Sequence, residues 1–442
     1  MKANKMNKRN IMERMKKKIA ERMKINRDLT IIYACAIVCS IVLILKNGVS
    51  VCIDSESYTI AWDNFTNGKI DVSRTPVYPC FLGIIRCFFG EQHFYFATIC
   101  VQHVIFLISV YFFYKVALFV ISNRRIAFAI SLCYATFSLL TMWNNYILTE
   151  SLSISGTVIF IYTIVKMYQS HSLLHAIYHI LLLLILLFLR PSFIYLLPVL
   201  GCVWLLLWFV KKDRITALYG ITGLAIAVLS LLSYMKAFER EHGIYACSCV
   251  STTNQLFVAR QYEILDPNVI SNPELRNYII KHNINPLTDE KDIWNDVFVI
   301  QDNFDLKMLN NAINDSYRNN PIKWIQSFVT RLFKSMDYRI FTTNSGVYNP
   351  ILGVIEPSLN LLYLLIIIYT VVLYRYITKQ HNLPWMSILL YLLTVCNIIV
   401  AIIGAQNDWG RLIRASIPSL LLMVGQICTM FKITPITYIK LR

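Results

Sequence analysis

Ten apolar runs constrain this chain more than any other feature of its sequence. They cover roughly 29–45, 93–114, 126–142, 146–167, 174–189, 191–210, 215–235, 351–374, 384–404 and 411–431. Several approach the roughly 20 residues that a helix needs to cross a bilayer. They predict an all-α polytopic membrane protein of about ten spans, in line with a mean hydropathy of +0.53. The first run is followed by Lys46-Asn47-Gly48, with no small-x-small cleavage pattern, so it reads as a retained helix and not a signal peptide. No internal repeat is visible, which counts against a transporter built from two similar halves.

A formal charge of +17 could suit nucleic acid, but beside the apolar runs it is better read as membrane topology. Eleven Lys and Arg residues lie in a basic tail, 1–28, and further ones fall in alternate gaps: Lys115, Arg124 and Arg125, then Lys166, then Lys211, Lys212 and Arg214, then Arg375 and Lys379, then the C-terminus. Together these hold 23 of the 42 basic residues. The distribution predicts cytoplasmic termini and a plasma-membrane protein whose other face carries the loop 46–92 and the long segment 236–350. The chain thus divides into the tail, spans one to seven with their first outer loop (29–235), the outer segment (236–350), and spans eight to ten with a short end (351–442). Within the tail Met12, Met15, Ile19 and Met23 recur at helical spacing. That pattern fits either a helix on the inner leaflet or a solvated tail that only sets topology. Most of the twelve cysteines sit in apolar runs, where they act as small hydrophobes. Cys247-x-Cys249 is too tight for the usual zinc spacing and predicts no metal site.

The charges near membrane depth gather on one side. Asp54, Glu56, Asp63, Asp71 and Arg74 lie in the first outer loop. Glu150 starts the fourth span, Arg190 sits in the turn between the fifth and sixth, and Asp408, Arg411 and Arg414 precede the last. A charge at the bilayer centre costs about 2.5–3.5 kcal/mol on insertion scales, so charges collected at one interface suggest a site. Each has a plainer reading. Asp54 and Glu56 share a face if extended and diverge by about 200° if helical, where Asp54 would meet Tyr58 instead; both could simply be solvated. Glu150 could serve only the helix dipole. Arg190 precedes Pro191 at a helix start, an electropositive place that an anion would relieve; snorkelling is the alternative. Arg411 and Arg414 share a helix face and suit a phosphate or merely lipid headgroups. Thr75-Pro76 and Tyr78-Pro79 make a stiff elbow. The apolar stretch Cys80 to Phe89 after it suits a helix lying in the interface, with Arg74 aimed at the membrane surface.

The order of these elements resembles the GT-C superfamily of membrane glycosyltransferases. The shared features are an acidic D-x-E after the first span, S-R-T-P-x-Y-P, T-E-S opening a helix, R-P-S opening another, and an arginine pair before the last span. The chain is most similar to bacterial enzymes of the protein O-mannosyltransferase and lipid A aminoarabinose transferase kind. The resemblance covers the layout of about 30–420 and is most specific from Asp54 to Pro79. It implies transfer of a sugar from a polyprenyl-phosphate carrier to a lipid, glycan or protein acceptor at the outer face. It implies Asp54 as the catalytic carboxylate, with Arg74 and Tyr78 beside the carrier. Glu150, Arg190 and Arg411 match the later motifs. Close relatives often carry two adjacent acids later in this loop, where this sequence has Asp63-Asn64.

The chemistry expected is an inverting transfer. Asp54 acts as general base, and Glu56 orients it or holds a divalent cation, which the sequence does not require. Arg74, Arg190, Arg411 and Arg414 bind the carrier phosphate. Two other classes remain: a surface-polysaccharide polymerase or ligase using the arginines without the carboxylate, and a transporter or flippase, which would place charge near the midplane instead. In the outer segment, Asp305 to Arg318 reads as a helix and Pro321 as the start of another. Trp324, Phe328 and Leu332 give the latter an amphipathic face that could rest on the outer leaflet or pack on the first loop. The segment is expected to serve as a lid or acceptor platform.

Overall fold

A backbone in lipid must satisfy its own N–H and C=O groups, and a helix does so within one segment. The computed structural model describes residues 2–282, 290–334, 364–380, 384–404 and 413–430. Among these, every regular element is helical; one isolated bridge joins Ser50 to Tyr146. The first nine helices are α1 (Lys2–Asn47), α2 (Ile53–Thr66), α3 (Val77–Val120), α4 (Arg124–Thr136), α5 (Ser138–Thr141), α6 (Glu150–Ser170), α7 (Leu173–Leu189), α8 (Leu196–Phe209) and α9 (Arg214–His242). A cap follows: α10 (Val250–Gln261), α11 (Pro273–His282), α12 (Glu290–Asn303), α13 (Leu306–Asn319) and α14 (Pro321–Lys334). The last described helices are α15 (Leu365–Gln380), α16 (Trp385–Gly404) and α17 (Ile417–Met430).

Six stretches among the described residues are long and apolar enough to cross a membrane: Ala20–Asn47, Val77–Val120, Glu150–Ser170, Pro191–Phe209, Arg214–His242 and Trp385–Gly404. A seventh is possible as a bent pair, Arg124–Thr136 with Ser138–Asn145, turned by 48°; α7 is shorter. The expected run 351–374 begins outside the described residues, as does 411–431. The molecule is therefore an α-helical polytopic membrane protein. Two boundaries differ from the apolar pattern. The run 146–167 becomes helical only at Glu150, because the backbone of Asn145 and Ile147 is engaged with Ser50: Ser50 N–H donates to Asn145 C=O (2.8 Å) and Ile147 N–H to Ser50 C=O (3.1 Å). The helix after the elbow starts at Val77, ahead of Cys80, because Pro79 falls in its first turn, where a missing N–H leaves no bond unmade.

The bundle core is continuous from α1 to α17 and centres on α3 and α6. Aromatic rings interleave there: Phe113 stacks on Tyr134 at 4.2 Å. At the end of the bundle away from the Ser50–Tyr146 bridge, Arg124 grips Asp28 with two bonds, Nε to Oδ2 (2.8 Å) and Nη2 to Oδ1 (2.9 Å), while Tyr114 Oη donates to the same carboxylate. That cluster ties α1, α3 and α4 together.

The cap has an apolar core of its own, including Phe257, Ile264, Val297, Ile300 and Ile313. Arg260 pairs with Asp296 at 2.6 Å inside it. α13 forms and Pro321 opens α14, as the sequence predicts; Asp305, expected inside the first of these helices, is instead its cap, through the Lys307 N–H. α14 packs against α13 and the end of α16.

Candidate active site

The first loop folds because its short helix carries its own start signal. Ser55 Oγ accepts from the Cys52 N–H (2.9 Å) and donates to Ile147 C=O (3.0 Å), which fixes α2 to the segment before α6. Asp54 then falls in the first turn of α2, where a carboxylate complements the helix dipole. The helix runs on to pack against the first half of α3. Trp62 lies over Gly83, and a Cβ at Gly83 would sit 2.0 Å from the Trp62 ring, so only glycine permits the approach. Arg86 pairs with Asp63 at 3.0 Å and with Glu91. Gly90, at φ 70°, breaks α3 into a first half that packs on α2 and a longer second half.

Between the two helices the chain turns on Asp71. Its Oδ1 accepts from the Ser73 N–H (2.9 Å), the Ser73 hydroxyl (3.0 Å) and the Arg74 N–H (2.7 Å), and its Oδ2 accepts from Asn64 Nδ2 (2.8 Å). The turn delivers Arg74 onto α2. Nη2 donates to Asp54 Oδ1 at 2.9 Å, Nε to Ser57 Oγ at 2.8 Å and Nη1 to Tyr58 Oη at 3.3 Å. The guanidinium also stands 4.3 Å from the Tyr58 ring centroid, a cation–π contact. The Asp54 side chain is 36% exposed and that of Arg74 16%, so the carboxylate faces outward and the cation lies behind it.

A second ion pair lies deeper. Arg190 Nη2 donates to Glu150 Oε1 at 3.1 Å, with the Glu150 side chain fully shielded and that of Arg190 12% exposed. A chain of contacts runs from the first pair towards the second. The Tyr58 and Tyr78 rings meet edge to face at 4.8 Å, and at the far end Ser151 Oγ, next to Glu150, donates to Asn144 Oδ1 (2.6 Å). Tyr78 donates to Gln102 Oε1 (3.0 Å), and Gln102 Nε2 donates to Asn144 C=O and Tyr146 C=O (3.0 and 2.9 Å). Asn145 in turn binds the carbonyls of Leu43 and Gly48 at the end of α1. The end of α9 and the segment leading into the cap meet the loop from the other side. Glu241 accepts from the Ile70 N–H, His242 Nε2 contacts Ile70 C=O (2.9 Å), and Cys249 N–H donates to Val72 C=O (2.7 Å).

The structure therefore brings Asp54, Arg74, Tyr78, Glu150 and Arg190 into one connected group. Glu56 does not join it. In a helical α2 it diverges from Asp54 and is exposed, so the two carboxylates form no shared cation site. Arg414 is buried in a short 3-10 turn, Ile413–Ser416, that packs against α6. Arg411 and Asp408 lie outside the described residues. Among the described residues no three His, Cys, Asp or Glu side chains gather as a metal site.

Sequence reasoning passed over Ser57 and Gln102, and it named Asn64 and Asp71 without giving either a place in the turn. The signal for Asp71 was present: an aspartate two residues before a serine, in a polar stretch between helices, is a common side-chain-to-backbone turn. Gln102, inside an apolar run, was the signal for a buried polar link.

No protein-family model matches this sequence, and no curated protein matches it. The fold and the two linked ion pairs are therefore the grounds for a functional reading.

Proposed function

We propose that this protein is an inverting glycosyltransferase of the GT-C kind, moving a sugar from a polyprenyl-phosphate carrier to an acceptor at the outer face of the membrane. The observation that carries the reading is the Asp54–Arg74 pair, an outward carboxylate backed by a cation at the start of the first helix after α1. In the reaction, the Asp54 carboxylate takes the proton of an acceptor hydroxyl. The freed oxygen attacks the anomeric carbon, and the bond from that carbon to the carrier phosphate breaks. Negative charge grows on the departing phosphate, where Arg74 stabilises it. Arg190 is held by Glu150, which fixes its direction. A positioned base of this type contributes roughly 10²–10⁴-fold in rate.

The test is Asp54→Asn in cells otherwise lacking the protein, read by mass spectrometry of surface glycans and glycolipids. The variant should fold and leave the product missing. A normal product profile removes Asp54 as base. A second reading has one observation in its favour: Asp54 is already engaged by Arg74 and could serve only to hold it. In that case the protein is a polymerase or ligase acting on lipid-linked sugars through its arginines. Activity that survives Asp54→Asn but fails in Arg190→Ala would select it.

A further inference from the structure

We propose that α14 lies in the membrane surface, with one of its faces sunk into the lipid bilayer at the end of the bundle that carries Asp54. The claim rests on how the helix divides its circumference. Successive residues advance by about 100°. Trp324, Ser327, Phe328, Arg331 and Leu332 fall in one sector, and all are buried or half-buried. Ile322, Ile325, Val329 and Phe333 fall in a second, about 80° wide, and are 70%, 54%, 45% and 64% exposed. Lys323, Gln326 and Thr330 form a third sector, also exposed. A helix packed on a water-soluble domain has two faces, apolar inward and polar outward. α14 has a third that is apolar and open, set between the protein-facing and polar sectors. Protein, lipid and water are met in that order by a helix lying flat at a bilayer boundary beside a transmembrane bundle.

The buried sector fixes the depth. Arg331 Nη1 donates to Ile402 C=O at 2.6 Å, satisfying one of the last carbonyls of α16, and Asn254 Nδ2 donates to Gly404 C=O at 2.9 Å. Phe328 and Leu332 pack on the bundle core. α14 is thus pinned where a span ends. The open side chains of α16 nearest that end are Ile399 and Ile403. They are 44% and 42% exposed, so the span's open apolar surface reaches the end at which Arg331 pins α14. The occupant that meets both surfaces at this depth is lipid, and Lys323 beside the stripe suits its phosphates.

This inference does not depend on the transferase reading. The full-length protein is placed in vesicles of phosphatidylethanolamine and phosphatidylglycerol. An environment-sensitive fluorescent amino acid is introduced at the position of Ile325 or Val329, or of Gln326 or Thr330. All four are exposed, so folding is not at risk. Acyl chains spin-labelled near the headgroup should quench the first two positions at least about threefold more than the second two, the expected depth being roughly 5–10 Å into the boundary. Aqueous iodide should give the reverse order. Equal quenching at all four positions overturns the proposal. Protection of Ile325 and Val329 from both quenchers also overturns it, because a second copy or another protein would then cover the stripe.

Discussion

The Glu150–Arg190 pair gives the most direct test of how the deep part of the site is held. Arg190→Ala removes one partner of a pair whose carboxylate side chain has no exposed surface. At 3.1 Å and an effective dielectric of about 20, the attraction is about 5 kcal/mol. Truncating one member of a buried pair is measured at about 3–5 kcal/mol. A chain of 442 residues has an unfolding entropy near 0.9 kcal/mol/K by the usual per-residue value. The expected fall in Tm is therefore about 3–5 °C. Helices that persist in detergent lower that entropy, so this is the smallest fall expected. Scanning fluorimetry of the purified protein in detergent reads it. The double variant Glu150→Gln with Arg190→Ala removes both charges together and should recover most of the loss, since no charge remains buried without its counterpart. If Arg190→Ala and Glu150→Gln each melt within about 1 °C of the parent, or the double variant is the sum of the two, the pair does not brace the site and the argument fails.

Three further outcomes follow from local geometry. Gly83→Ala places a methyl group against the Trp62 ring and should shift α2 on α3, at about 1–3 kcal/mol or more; activity should fall with Asp54 and Arg74 intact, whereas unchanged activity and Tm would show the contact to be slack. Burial pushes the Cys247 thiol up to about 11, so at pH 8 it should react with maleimide far more slowly than the exposed Cys87, as peptide mass spectrometry will show. Asp266 accepts from the Asn268 N–H and from Asn319 Nδ2, which hold its carboxyl below the usual range. A lowered folded-state value means stability present above the unfolded value and lost as pH falls through the folded one. Hydrogen exchange at the C-terminal end of α13, corrected for intrinsic rate, should therefore quicken as pH drops below about 4, and Asp266→Asn should abolish that dependence.

Much of the fold is legible because lipid imposes one simple rule, and the six spans each coincide with an apolar run. Local chemistry was legible too, in the helix near Asp305–Arg318 and in Pro321 as a helix start. What the sequence does not show is the partner of each charge. Arg190 was read as wanting an anion, and the natural candidate was a phosphate; the structure supplies Glu150, 40 positions earlier, because α6 and α7 pack side by side. Arg74 reaches Ser57 and Tyr58 only because Asp71 turns the loop back on α2. The helical choice at Asp54 brought Tyr58 to its side and took Glu56 away. Periodicity in a short polar stretch could not settle that choice, since it was made by Ser55 bonding Ile147 across 92 residues.

The way Arg74 is held bears on the order of events in the proposed reaction. Each guanidinium nitrogen already has a partner on α2: Asp54, Ser57 and Tyr58. An arriving phosphate must draw at least one of them off. Ser57 and Tyr58 contribute neutral hydroxyls, whose bonds tolerate a nearby anion, while the Asp54 carboxylate is repelled by it. The contact that yields is then Asp54–Arg74, and its loss leaves the carboxylate facing the solvent side, where an acceptor hydroxyl can approach. Carrier binding would in this way prepare the base, so the donor precedes the acceptor. Polyprenyl phosphate added to the parent protein should raise the rate at which a carbodiimide modifies Asp54, followed by peptide mass spectrometry. Arg74→Gln should show the raised rate without carrier and no further response to it. If the carrier slows labelling of Asp54, or leaves it unchanged, Arg74 does not exchange one anion for the other.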